Sequence, residues 1–178
     1  DPGDEAIILS PYWLSYPEMV KLAQGTVKVV RGDSKNRFKV AAKDLEKTLS
    51  KKTKLLIVNS PSNPAGVVYS REDFQVFGKL LDRFPSVTIV SDEIYDEVVF
   101  DAKPFVSFLG ACPELQSRTI TVNGLSKSAA MTGWRLGWAV APTEYIDAMG
   151  RIQSQSTSGI NALAQYAGIA AFDLTRDT

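Results

Sequence analysis

Residues 124–137 read Gly124-Leu-Ser-Lys127-Ser-Ala-Ala-Met-Thr-Gly-Trp-Arg135-Leu-Gly137, a small and apolar stretch that carries one lysine and one arginine. No carboxylate stands within four positions of Lys127, so the local ion pairing that explains many helix-surface lysines does not apply. Partial burial is the simpler expectation. Desolvation disfavours an ammonium, and an amine relieved of its proton can attack a carbonyl to form a Schiff base. Arg135, between Trp134 and Leu136, calls for an anionic partner such as a carboxylate or a phosphate. A solvated lysine and a structural arginine fit the same residues taken in isolation.

Outward from this stretch, short apolar runs alternate with amphipathic segments, the pattern of a mostly parallel sheet covered by helices on both faces. Strands are expected near Ala6–Leu9, Val27–Val30, Leu55–Asn59, Val87–Ser91, Thr119–Val122 and Gly137–Ala141. Helices are expected over Pro17–Gln24 and Lys43–Leu49, from Ser70 to about Phe84, from Pro142 through Ile152, and over Ala162–Leu174, with a break at Ser156–Gly159. Ser70, with Asp73 three residues later, has the spacing of a capping box, and Phe74, Phe77, Leu80, Leu81 and Phe84 form one apolar face.

Open sheets of this kind bind ligands at the loops after strand ends, and the polar candidates fall there. The turn Asn59-Ser-Pro-Ser-Asn63-Pro-Ala-Gly66 cannot be helix or central strand, and composition alone makes it a tight turn. Asp92 follows the apolar run Val87–Val90 and precedes Glu93, Ile94 and Tyr95. A strand ending in Asp-Glu is also shared with the metal-binding box of a P-loop ATPase. That rival needs glycine at positions 121 and 126 around Lys127, where this chain has Thr121 and Ser126. A GxGxxG dinucleotide turn is missing as well. Pro11-Tyr12-Trp13 follows the first strand, where core packing is the competing role for the aromatic rings.

Gly-Leu-Ser-Lys127 followed by Met-Thr-Gly-Trp-Arg135-Leu-Gly resembles the cofactor-lysine signature of the class I and II aminotransferases, the fold-type-I enzymes dependent on pyridoxal 5'-phosphate. The Asn-Pro turn, the strand ending in Asp92 and the aromatic after Pro11 match the other parts of that pattern, and the likeness runs from Asp1 to about Leu174. It implies a three-layer, cofactor-binding large domain over residues 1–178, lacking the small domain and the N-terminal phosphate turn. It also implies that Lys127 forms the aldimine with the cofactor and then shuttles the substrate's proton. Asp92 would hold the ring nitrogen protonated, Tyr95 and Asn63 would bond the phenolic oxygen, Arg135 would anchor the phosphate and Trp13 would stack on the ring. Many members carry a hydroxyl residue three positions before the lysine. Here that position is Gly124, which leaves its backbone or Ser126 to serve the phosphate. Ser154–Ser158 and Asn161–Gln165 resemble the aspartate branch that includes prephenate aminotransferases, so the implied reaction moves an amino group between an amino acid, aspartate first, and a 2-oxo acid. The arginine that binds the substrate carboxylate in this family falls outside the chain. A homodimer is implied too. A C–S lyase would keep the same residues, and so would an isolated domain that catalyses nothing.

Composition agrees with a globular α/β domain: of 178 residues 44% are hydrophobic, and 20 basic residues balance 20 acidic ones. That dispersed, neutral charge supplies no attraction to nucleic acid or to a membrane surface. No apolar run approaches the roughly 18 residues of a membrane span and no signal-peptide pattern opens the chain, so the expected address is cytoplasmic. With no histidine and only Cys112, His-based metal or triad chemistry and an intramolecular disulfide are excluded. The start at Asp1, without methionine and running straight into a buried strand, is expected to lie inside a longer protein.

Overall fold

The computed structural model describes residues 1–100 and 104–174. Six strands form one sheet: β1 (Glu5–Ser10), β2 (Thr26–Arg31), β3 (Thr53–Asn59), β4 (Thr88–Asp92), β5 (Thr119–Gly124) and β6 (Gly137–Val140). Their order is β2-β1-β3-β4-β5-β6. Neighbours from β2 to β5 run parallel, and β6 pairs antiparallel with β5. All six expected strands are present. Among the described residues seven α-helices accompany the sheet: α1 (Ser15–Leu22), α2 (Ala42–Thr48), α3 (Arg71–Leu81), α4 (Phe108–Ala111) and α5 (Leu125–Ser128) lie between strands, and α6 (Thr143–Ser156) and α7 (Ala162–Leu174) follow β6.

Side chains alternate across a strand, and β1 shows the consequence. Ile7 and Leu9 enter a large apolar cluster with Leu45, Phe74, Phe77, Leu81 and Phe108 from α2, α3 and α4. Ala6 and Ile8 point the other way and pack with Tyr16 and Val20 of α1. Buried on both faces, such strands must be apolar throughout, which is why they are readable as runs. A third, smaller cluster joins Leu125 and Leu136 to Ala164 and Ala171 of α7.

Several helix bounds differ from expectation. α1 starts at Ser15, so that Pro17 falls in its first turn, where the lost N–H breaks no helical bond. α3 stops at Leu81, and Phe84 packs against the core from the following turn. α6 runs on to Ser156, past the expected end at Ile152. α4 was not anticipated, because four residues are too few to establish a period.

The capping box of α3 is formed: Ser70 Oγ accepts from the Asp73 N–H at 3.2 Å, and Asp73 Oδ2 accepts from the Ser70 N–H at 2.9 Å. Lys39 Nζ reaches the same carboxylate at 2.5 Å. Ser70→Ala should lower stability by about 1 kcal/mol, the usual worth of such a cap, with the loss read from the urea midpoint at constant slope.

Candidate active site

β1, β3, β4 and β5 all present their carboxyl ends on one edge of the sheet, and strand order reverses between β1 and β3. The crevice at such a reversal is where open α/β sheets bind ligands. A pocket of about 350 Å³ lies there. Trp13, Asn63, Asp92, Tyr95, Ser126, Lys127 and Arg135 all line it. The residues singled out in the sequence therefore meet, although they come from four separate loops. A larger surface groove of about 860 Å³, by Arg37, Lys39, Tyr69 and Arg71, brings none of them together.

Lys127 and Arg135 reach the pocket through the excursion between β5 and β6. Gly124 and Gly137 face each other in the antiparallel register and close its base. A Cβ at Gly124 would lie 2.8 Å from the Leu136 carbonyl oxygen and 3.0 Å from the Gly137 Cα. A serine three positions before Lys127 would therefore crowd the backbone here, and Ser126, half-buried in the pocket wall, is the available hydroxyl. Gly124→Ser should destabilise the fold by about 1–3 kcal/mol through overpacking against backbone, measurable by thermal unfolding. Buried Leu125 and Leu136 pin the two ends of the excursion, with the Leu125 N–H donating to the Leu136 carbonyl at 3.3 Å.

Lys127 departs from the expected partial burial: its side chain is exposed at the pocket mouth. It stands on the short α5, and its Nζ lies 5.6 Å from the centroid of the Tyr95 ring. Among the described residues it enters no ion pair. Arg135 is likewise exposed and has no carboxylate partner among the described residues; its Nη1 donates to the Thr132 carbonyl at 2.9 Å. Its backbone is left-handed, φ 55°, a conformation that non-glycine residues adopt at a cost of order 1 kcal/mol and that turns the side chain into the pocket.

Asp92 ends β4 half-buried. Its Oδ2 accepts from the Tyr16 hydroxyl at 2.5 Å and its Oδ1 from the Ile94 N–H at 3.2 Å. Tyr16, buried in α1, was not identified from the sequence. Burial, then the Asp92 charge and hydrogen bond, push its phenol well above the ordinary range, so it stays a donor at any working pH. The usable signal was its place one helical turn after Trp13, whose ring meets it edge-on with centroids 5.6 Å apart. Glu93, next to Asp92, points into the core instead, accepting from Ser91 Oγ at 2.8 Å and from the Phe108 N–H at 3.0 Å. Burial raises its carboxyl above the usual carboxylate range.

Asn59 and Asn123 also line the pocket and were not singled out. Asn123 Nδ2 donates to Asp96 Oδ2 at 2.6 Å, and its Oδ1 accepts from the Gly124 N–H at 2.7 Å, which holds the strand end from which Lys127 departs. The arrangement as a whole sets an amine beside an aromatic ring, a carboxylate on the pocket wall, and a guanidinium and a hydroxyl in the same enclosure.

The family model for class I and II aminotransferases matches residues 1–177. An aspartate/prephenate aminotransferase from Nitrosomonas europaea is 45% identical over 173 residues, covering 97% of this chain and 44% of that protein. An aspartate aminotransferase from Geobacillus stearothermophilus is 45% identical over 172 residues, with 97% and 44% covered. Among solved structures, a double mutant of Thermus thermophilus aspartate aminotransferase superposes with a TM-score of 0.92 at 40% identity, over 99% of this chain and 45% of that one. The Rhizobium meliloti aspartate aminotransferase gives 0.93 at 42% identity, over 96% and 43%. The chain thus spans less than half the length of these relatives.

Proposed function

Because this chain belongs to the class I and II aminotransferases, we propose that it is the cofactor-binding large domain of an enzyme that uses pyridoxal 5'-phosphate to move an amino group from an amino acid, aspartate first, to a 2-oxo acid. The observation that carries this is the convergence of Lys127, Asp92, Tyr95, Asn63 and Arg135 on one pocket from loops distant in sequence. Aspartate is favoured by the names of the relatives from N. europaea and G. stearothermophilus.

The residues present fit such a cofactor. A volume of about 350 Å³ lies within the usual range for small-molecule sites, and the lining offers one amine, one carboxylate and one guanidinium, one for each polar feature of an aldehyde-bearing, phosphorylated pyridine. When bound, that group supplies an electron sink for the pair released as an amino-acid Cα loses its proton. Lys127 Nζ would hold the aldehyde carbon as an imine, with loss of water, and as a free amine it would take the Cα proton and return it. Asp92, its two oxygens held by the Tyr16 hydroxyl and the Ile94 N–H, would accept from the protonated ring nitrogen. Arg135 would offer its planar fork of donors to the phosphate, and the Ser126 hydroxyl in the same pocket would add another. Tyr95 and Asn63 would bond the phenolic oxygen, and Trp13 would cover a ring face; all three line the pocket.

Homodimeric assembly and a cytoplasmic address belong to the same proposal. A single buried cysteine suits a reducing compartment. In the full-length protein, adding pyridoxal phosphate should produce a lysine-linked absorbance band, and oxaloacetate should form from aspartate to no more than one equivalent per active site unless a 2-oxo acid acceptor is present to take up the amino group. Continued release of keto acid beyond that one equivalent without an acceptor, with ammonia set free, would instead mark lyase chemistry and overturn the transfer reading.

A further inference from the structure

The Asn59 amide makes three hydrogen bonds, all to backbone. Asn59 closes β3, directly opposite Asp92 in the parallel register. Its Nδ2 donates to the Asp92 carbonyl at 3.0 Å and to the Pro61 carbonyl at 3.1 Å. Its Oδ1 accepts from the Asn63 N–H at 2.9 Å. One bond therefore crosses to the end of β4, while the other two fold the Pro-rich turn back onto the strand. The chemistry requires an amide here. Pro61 and Pro64 carry no N–H, so the turn is short of internal donors, and two carbonyls converge on the same nitrogen. A carboxylate of the same shape would offer no donor to either carbonyl, and a hydroxyl could donate to only one.

We propose that Asn59 is a positioning residue of the cofactor site, one that sets the separation between the Asn63 side chain and the Asp92 carboxylate and so fixes where a pyridine ring can sit between them. This rests on the cofactor reading given above. Asn59 bonds neither of those side chains; it acts through the backbone that carries each. Its loss should therefore weaken the ring's polar contacts together and shift the electronic state of the bound cofactor, beyond any effect on folding.

The test is made on the full-length protein with pyridoxal phosphate as probe, reading its dissociation constant and the pH at which the absorbance of the bound cofactor changes. Asn59→Ala is expected to bind about 10–100-fold more weakly, the range for residues that orient direct ligands. Its absorbance midpoint should also move in the direction given by Asn63→Ala. Asn59→Asp should be the worse of the two, since it places acceptors against two carbonyls. The double variant Asn59→Ala/Asn63→Ala should lose less than the product of the single losses, because part of the Asn59 effect runs through the Asn63 contact. Should Asn59→Ala not fold, Asn59→Ser keeps one donor and carries the same expectations at smaller size. Affinity within twofold of the parent with an unmoved midpoint overturns the assignment, as does a lower melting temperature with no spectral shift, or fully multiplicative losses. If the parent protein binds no pyridoxal phosphate, the proposed function falls and this inference with it. If the parent binds and Asn59→Ala matches it, only this inference falls.

Discussion

Lys127→Ala in the full-length protein should abolish amino transfer, lowering kcat by about 10⁴-fold or more, because one positioned acid–base group contributes up to that factor and covalent attachment is lost as well. The variant should still hold pyridoxal phosphate. Asp92, Asn63 and Tyr95 sit on other segments of the pocket, and Arg135, on the same excursion as Lys127, is held by its own bond to the Thr132 carbonyl. The checks are a single-turnover assay with aspartate and borohydride reduction followed by peptide mapping. Reduction should label Lys127 in the parent and nothing in the variant. A label on another lysine, or turnover within tenfold of the parent, would remove the central residue from the proposed mechanism. The exposure of Lys127 at the pocket mouth sharpens this expectation. Its amine is open to an incoming aldehyde from the solvent side, with no carboxylate among the described residues competing for it.

Asp92→Asn should reduce kcat by about 10²–10³-fold, the measured range for deleting one preorganised electrostatic partner of a developing charge. The amide keeps the shape and can still accept from Tyr16, but it carries no negative charge to hold a pyridinium. The loss should appear in the step that removes the Cα proton, and so as a larger isotope effect with α-deuterated aspartate. Asp92→Glu retains the charge but pushes it one methylene beyond the 2.5 Å contact with Tyr16, and it should fall between parent and Asp92→Asn. Equal kcat in Asp92→Asn and the parent would leave the carboxylate without its proposed role.

Much of the site was legible because its residues sit at ends that the sequence marks plainly. A buried parallel strand must be apolar on both faces, so the first charged residue after Val87–Val90 announces a strand end, and Asp92 is found there. Asn63, after β3, and Trp13, after β1, were legible only through the family resemblance, because residue type alone leaves a tight turn and a core aromatic there. Tyr16 escaped notice because an apolar-looking ring in a helix reads as core, and its hydroxyl gains a purpose only from a residue 76 positions away. Asn59 was taken as part of a turn. Its three bonds depend on which strand lies beside β3, and register is set by packing across the sheet.

The sequence by itself determined the alternation of strand and helix, the residues able to act as amine, acid and anion anchor, and the family resemblance they carry, since propensity, periodicity and motif spacing act over a few neighbouring positions. Tertiary structure alone decided that β6 turns back antiparallel, that Gly124 must lack a side chain against the Leu136 carbonyl, that Lys127 stands exposed, and that Tyr16 and Asn59 brace the residues around it. Those outcomes depend on contacts between segments far apart in the chain, whose closure is stabilised by core packing and leaves no local periodicity to read.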